Sequence, residues 1–171
     1  MSHVLRLDAI RIGLGGQVLV EVDADVGPGA VLTVMGPSGS GKSTLLAYLA
    51  GFIDPVFAAA GRVLLDGEDI TRRPAERRHI GLLFQDALLF PHLSVAGNLL
   101  FGLPRGPGRR QRAAEALAQA GLAGFADRDP ATLSGGQQAR VALLRLLLSA
   151  PRAVLLDEPF AKLDSPLRGA D

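Results

Sequence analysis

Cysteine is absent from the 171 residues, which excludes disulfides and thiolate metal sites. Lysine is nearly absent as well. It stands only at Lys42 and Lys162, and arginine supplies the rest of the basic charge. That bias reads as genome composition, with Lys42 set apart by the residues around it. No charge sign dominates: 18 basic residues face 17 acidic ones, a formal net charge of +1. A nucleic-acid protein would show a basic face, so none is expected as a partner. His3, His79 and His92 are scattered without metal-ligand spacing. Long apolar runs are also missing. The opening MSHVLRLDAI has no apolar core followed by a cleavage site. The stretch 141–156 is interrupted by Arg145, Pro151 and Arg152, too often to span a bilayer. A cytosolic location is expected, with any membrane role exercised through a partner.

Apolar residues make up 48% of the chain, enough for one well-filled core and too many for disorder. β-rich segments are predicted over 4–12 and 17–26, followed by a turn at Gly27-Pro28-Gly29. A short apolar strand over 31–35 leads into a glycine-rich loop. A helix over 43–50 is closed by Gly51. Strands follow over 62–65, turning at Asp66-Gly67, and over 80–84. Further on, Ser94 caps a helix through Leu100, and 102–110 forms a Gly/Pro/Arg linker. Helices over 111–120 and 136–149 and a buried strand over 153–156 complete the pattern. Strands alternating with helices predict an α/β protein with a parallel sheet and a helical insertion at about 87–149.

Gly36-Pro37-Ser38-Gly39-Ser40-Gly41-Lys42-Ser43, followed by Thr44, fits the G-x-x-x-x-G-K-[ST] pattern between a strand and a helix. Glycines allow positive φ and bring bare N–H groups to phosphate oxygens. The helix points its positive end at the anion. Lys42 neutralises the β- and γ-phosphates, and Ser43 can hold Mg²⁺. Further along, Asp157 and Glu158 end the apolar strand 153–156, where ligands of open α/β sheets sit. Asp157 suits the metal shell and Glu158 the attacking water. An acid pair ending a strand is by itself more often a solvated turn; the phosphate loop upstream reverses that reading.

The third segment is Leu133-Ser134-Gly135-Gly136-Gln137. Ser134 with Gln137 three residues on is a capping box, a common helix start. That leaves two glycines in the first turn unexplained, each costing roughly 1 kcal/mol against alanine. Bare backbone there suits a helix end that meets phosphate.

Together, GPSGSGKST, LSGGQ and LLDEP resemble the ATP-binding cassette (ABC) ATPases in content, order and spacing, over nearly the whole chain. The resemblance implies a P-loop NTPase (RecA-like) α/β core with an N-terminal antiparallel β part and an inserted helical subdomain. It places the nucleotide-binding core with its β subdomain at 1–86 and 150–171, and the helical signature subdomain at 87–149. In the family two subunits close head to tail over two ATP molecules. Ser134, Gly136 and Gln137 would then meet the γ-phosphate of the partner's nucleotide. Gln85 matches the family's glutamine loop, which touches Mg²⁺ and links to the membrane subunit, and Asp164 matches a loop that communicates across the dimer. The wording FQDALLFPHLSVAGNL is similar to importer-type ATPases. It makes Leu89, Phe90, Pro91, His92 and Leu93 candidates either for permease contact or for packing within the helical part.

The resemblance thus implies an ATPase, paired as a homodimer or with a second ATPase subunit. Transmembrane permease subunits and a solute-binding protein are its expected partners, and the inner face of the cell membrane its expected place. Two departures stand out. No aromatic lies near Gly13, where the family stacks adenine, so base stacking should be weaker by about 1–3 kcal/mol. No histidine follows His92, whereas the family carries a switch histidine well beyond the carboxylate pair. A chain truncated at its C-terminus, lacking the last core strands, is therefore expected. The alternatives are a truncated ATP-binding module with little turnover, or a non-transport ABC ATPase. Members of the latter kind tend to carry coiled coils or tandem cassettes, and neither is seen here.

Overall fold

The computed structural model describes residues 3–158. They fall into two compact units, one formed by residues 3–80 and 152–155 and the other by residues 81–151 and 156–158.

The first unit is built on a four-stranded sheet in the order β2-β1-β3-β4. Its strands are β1 (Leu5–Leu14), β2 (Gln17–Val26), β3 (Ala58–Leu65) and β4 (Glu68–Asp69), and every pairing is antiparallel. The apolar residues of β1 break phase: Leu5 and Leu7 are buried, then Ile10 and Ile12. An uninterrupted strand would turn the second pair outward, because side chains alternate between faces. A bulge between Leu7 and Ile10 restores the phase, with Ala9 at φ 47°. Opposite it, Gly61 has φ +96°, and a Cβ there would lie 2.5 Å from the Ala9 carbonyl oxygen. Only glycine fits against the bulge. Helix α1 (Lys42–Ala50) buries Leu45, Tyr48 and Leu49, and the Tyr48 hydroxyl donates to the Gly61 carbonyl at 2.9 Å.

The segment 31–35, expected as a strand, is in no strand. Val31 and Met35 are 89% and 88% exposed. Apolar β-branched sequence favours extended backbone, but a strand exists only through a ladder with a neighbour. Among the described residues nothing pairs with this segment. Strand β3 is longer than the expected 62–65, because its first residues pair with the end of β1.

In the second unit, α2 (Val95–Gly102), α3 (Arg109–Gln119) and α4 (Gly135–Leu148) enclose a core that includes Val95, Leu99, Leu117, Leu133 and Val141. Asn98 is fully buried. Its Nδ2 donates to the carbonyls of Phe90, Leu93 and Ser94, while its Oδ1 accepts from the Phe90 N–H and from Arg145. That saturation meets the cost of burying an amide and fixes the loop 90–94.

Strands β5 (Ile80–Leu83) and β6 (Ala153–Leu156) make a second, two-stranded sheet. The Arg152 N–H donates to the His79 carbonyl at one end, and the Asp157 N–H to the Leu83 carbonyl at the other. Residue numbers rise together, so the pair is parallel. The described residues thus make a mixed α/β arrangement with an antiparallel N-terminal sheet, as the resemblance implied.

Candidate functional site

The loop 36–39 is exposed and ends where Gly41 is buried against the β sheet. Gly41 has φ +85°, and a Cβ on it would stand 2.6 Å from Val20 Cγ2. The turn therefore admits only glycine, and it delivers the chain directly into α1. No side chain caps this helix and no acid lies in its first turn, so its positive end faces outward unneutralised. The Lys42 ammonium folds back over the loop and donates to the Gly36 and Pro37 carbonyls at 2.9 and 2.8 Å. One cation, a helix start and an exposed glycine loop thus converge on one spot. Such an arrangement is chemically suited to an anion such as a polyphosphate.

The other end of α1 is held by a residue that the sequence patterns did not reveal. Arg78 is 4% exposed and donates to the carbonyls of Tyr48 and Leu49 at 2.9 and 3.0 Å. It also donates to the Arg73 carbonyl at 2.8 Å and to that of Thr71. A cation here meets the orphan carbonyls and the negative end of the helix. Burial lowers its pKa from the usual arginine value, Tyr48 and Asp69 opposing the effect. Its only sequence-level signal is a pair of arginines before His79, which reads equally well as surface charge.

In the second unit, Gln85 is exposed just past the end of β5. Asp157 is half-buried and Glu158 exposed, directly after β6. The Asp157–Leu83 bond sets the glutamine and the acids beyond the same, carboxyl, end of the parallel pair, where ligands of such sheets bind. Glu158 has φ 46°, an uncommon conformation for a non-glycine residue and one met at functional sites. Gln85 and Asp157 present an amide and a carboxylate oxygen, donors of the kind that suit Mg²⁺.

At the head of α4 the capping box is present in both directions. Ser134 Oγ accepts from the Gln137 N–H at 3.3 Å, and Gln137 Oε1 accepts from the Ser134 N–H at 2.9 Å. A Cβ on Gly135 or Gly136 would meet nothing within 4 Å. Neither glycine is required by its own surroundings among the described residues, and both leave open backbone at a helix start. Of the five residues weighed for partner contact, Leu89, Phe90 and Leu93 are half-buried and Pro91 and His92 exposed, so the segment divides between packing and surface. Around Gly13, a depression of about 280 Å³ is lined by Arg11, Gln17, Val18 and Ala58 among others, with no aromatic. Asp164 lies outside the described residues. The phosphate loop stands in one unit, and Gln85, Ser134–Gln137 and the two acids in the other.

Residues 19–161 match the family model described as "ABC transporter". The chain is 50% identical over 155 residues to the uncharacterized ABC transporter ATP-binding protein YnjD of Escherichia coli, covering 89% of this chain and 71% of that protein. It is 50% identical over 151 residues to the spermidine/putrescine import ATP-binding protein PotA of Frankia alni, covering 86% of this chain and 32% of that one. The PotA of Bacillus thuringiensis is 42% identical over 173 residues, with 98% and 52% covered. The chain therefore spans a third to about half of these import proteins. A bacterial Atm1-family ABC exporter solved with ATP bound superposes with a TM-score of 0.77 at 29% identity, over 95% of this chain and 30% of that one.

Proposed function

Since the chain belongs to the ABC transporter family of ATP-binding proteins, a family of ATPases, we propose that it binds and hydrolyses Mg-ATP to drive solute import through a membrane permease. The observation that carries this reading is the Lys42 ammonium folded over the Gly36–Gly41 loop at an uncapped helix start. In it, Lys42 and the first amides of α1 neutralise the β- and γ-phosphates. Ser43, Gln85 and Asp157 would hold Mg²⁺, which when bound would offset charge developing on the phosphate oxygens. Glu158 accepts a proton from the attacking water.

The open backbone at Gly135 and Gly136 supports a head-to-tail dimer in which Ser134, Gly136 and Gln137 reach the γ-phosphate held by a second subunit. Residues 1–86 and 150–171 would act as the nucleotide-binding core and 87–149 as the signature-bearing helical part. Two relatives named as import proteins support the import direction over the exporter-like neighbour. Permease subunits, and a solute-binding protein outside the membrane, are the partners this requires, with the chain lying against the inner membrane face. Phosphate release from Mg-ATP, compared between the wild type and Glu158→Gln, tests the reading. Turnover lost in the variant while ATP still binds supports it; equal turnover removes Glu158 from the reaction.

A further inference from the structure

Between Asp86 and Glu115 the sequence contains no acid, while arginines stand at 105, 109, 110 and 112. Arg109 is the anchor of this stretch. Its Nη2 donates to the Leu100 carbonyl and, at 3.1 Å, to that of Leu103. These bonds tie the start of α3 to the end of α2. The exposed Arg105, Arg110 and Arg112 lie within four residues of Arg109 in the chain, and the anchored end of α2 carries Phe101, which is 68% exposed with its ring tilted against Phe90 at 4.6 Å. Among the described residues, none of the three exposed arginines forms an ion pair. The next acid along α3, Glu115, is engaged by Gln111 at 2.9 Å. The first turn of α3 holds no acid, and no side chain caps it, so its own field repels the cations gathered there. Among the described residues of the second unit, no acid pairs with these arginines.

We infer that this edge of the helical unit is a contact surface for an anionic phospholipid bilayer, with Arg105, Arg110 and Arg112 meeting headgroup phosphates and Phe101 entering the interface. The combination selects the partner. Clustered arginines next to an exposed aromatic match a surface that is anionic outside and apolar just beneath. A long polyanion would instead call for a basic face, and the chain as a whole carries only +1. The surface is distinct from the nucleotide residues and assumes nothing about transport, so it can fail or hold independently of the ATPase reading.

The test is co-sedimentation of the full chain with phosphatidylglycerol vesicles and with phosphatidylcholine vesicles. Variants are Arg105→Glu/Arg110→Glu/Arg112→Glu and Phe101→Ser, and ATP titration serves as the control for folding. The expected result is binding to the anionic vesicles only, weakening as salt rises from about 0.05 M to about 0.5 M. Neutralising each arginine should weaken it about fivefold, so the triple reversal should abolish it with ATP affinity unchanged. Phe101→Ser should weaken binding without altering its salt dependence. No binding to anionic vesicles, equal binding by the triple variant, or tighter binding to a single-stranded RNA probe at the same salt would each overturn the inference.

Discussion

Glu158 and Asp157 are adjacent yet differently placed: one is exposed at φ 46°, the other half-buried with its N–H bonded to the Leu83 carbonyl. The roles proposed for them differ accordingly. Glu158→Gln keeps the shape and removes the base, so phosphate release should fall by at least about a hundredfold, the range of general-base catalysis, with ATP binding retained. Asp66 offers a separate test at the same scale. Its carboxylate accepts from the Val4 N–H at 2.9 Å and pairs with His3 at 2.7 Å. The Val4 bond first, and then His3, hold it below the usual aspartate range. A depressed folded-state pKa means stability that is fully present above the unfolded value of about 3.9. That stability is lost as pH falls through the folded value. Acid titration of the melting temperature should therefore show a steeper fall below about pH 4 in the wild type than in Asp66→Asn, whose side chain also tolerates the positive φ of 56° found there. Identical profiles would remove Asp66 from the acid response.

At the scale of elements, the two glycines opening α4 separate folding from function. A Cβ at Gly135 or Gly136 meets nothing within 4 Å, so alanine there should leave stability unchanged or raise it by up to about 1 kcal/mol. Hydrolysis should nevertheless fall, because the added methyl stands where a second subunit's nucleotide is proposed to approach. Thermal melting beside phosphate release decides it: lower stability with full activity would mark the glycines as structural. Gly61 predicts the opposite. Gly61→Ala drives a methyl into the Ala9 carbonyl at the β1 bulge and should lower the melting temperature with a cost of about 2 kcal/mol or more.

These elements also show what a sequence can carry. The Gly36–Ser43 loop, the capping box at Ser134 and Gln137, and the strand ending at Leu156 were legible because their signals are local, written in spacings of a few residues. The bulge, the role of Gly61 and the anchoring by Arg78 were not. Arg78 acts on carbonyls some thirty residues earlier in the chain, and neither spacing nor composition records such a meeting. The misplaced strand at 31–35 failed for a related reason, since apolar pattern marks a segment able to pair and says nothing about whether a neighbour is there.

At the scale of the whole molecule, family membership points to an ATPase, and the structure offers a glycine loop, a helix start and one cation for the proposed substrate. The lack of an aromatic around the depression at Gly13 makes a further expectation. Base selectivity should be modest, with ATP preferred over GTP by less than about a hundredfold, since stacking on an aromatic contributes about 1–3 kcal/mol per base. The central claim, that the loop at Gly36–Ser43 holds the phosphates of Mg-ATP through Lys42, is tested most directly by calorimetric titration of Mg-ATP into the wild type and Lys42→Ala. Lys42 is half-buried and, among the described residues, its ammonium bonds to two carbonyls of the exposed loop, so the variant should melt at the wild-type temperature. It should bind ATP at least about tenfold more weakly, the loss of one or more charge-assisted hydrogen bonds of about 1.5–3 kcal/mol. Equal affinity in the two proteins would contradict the account.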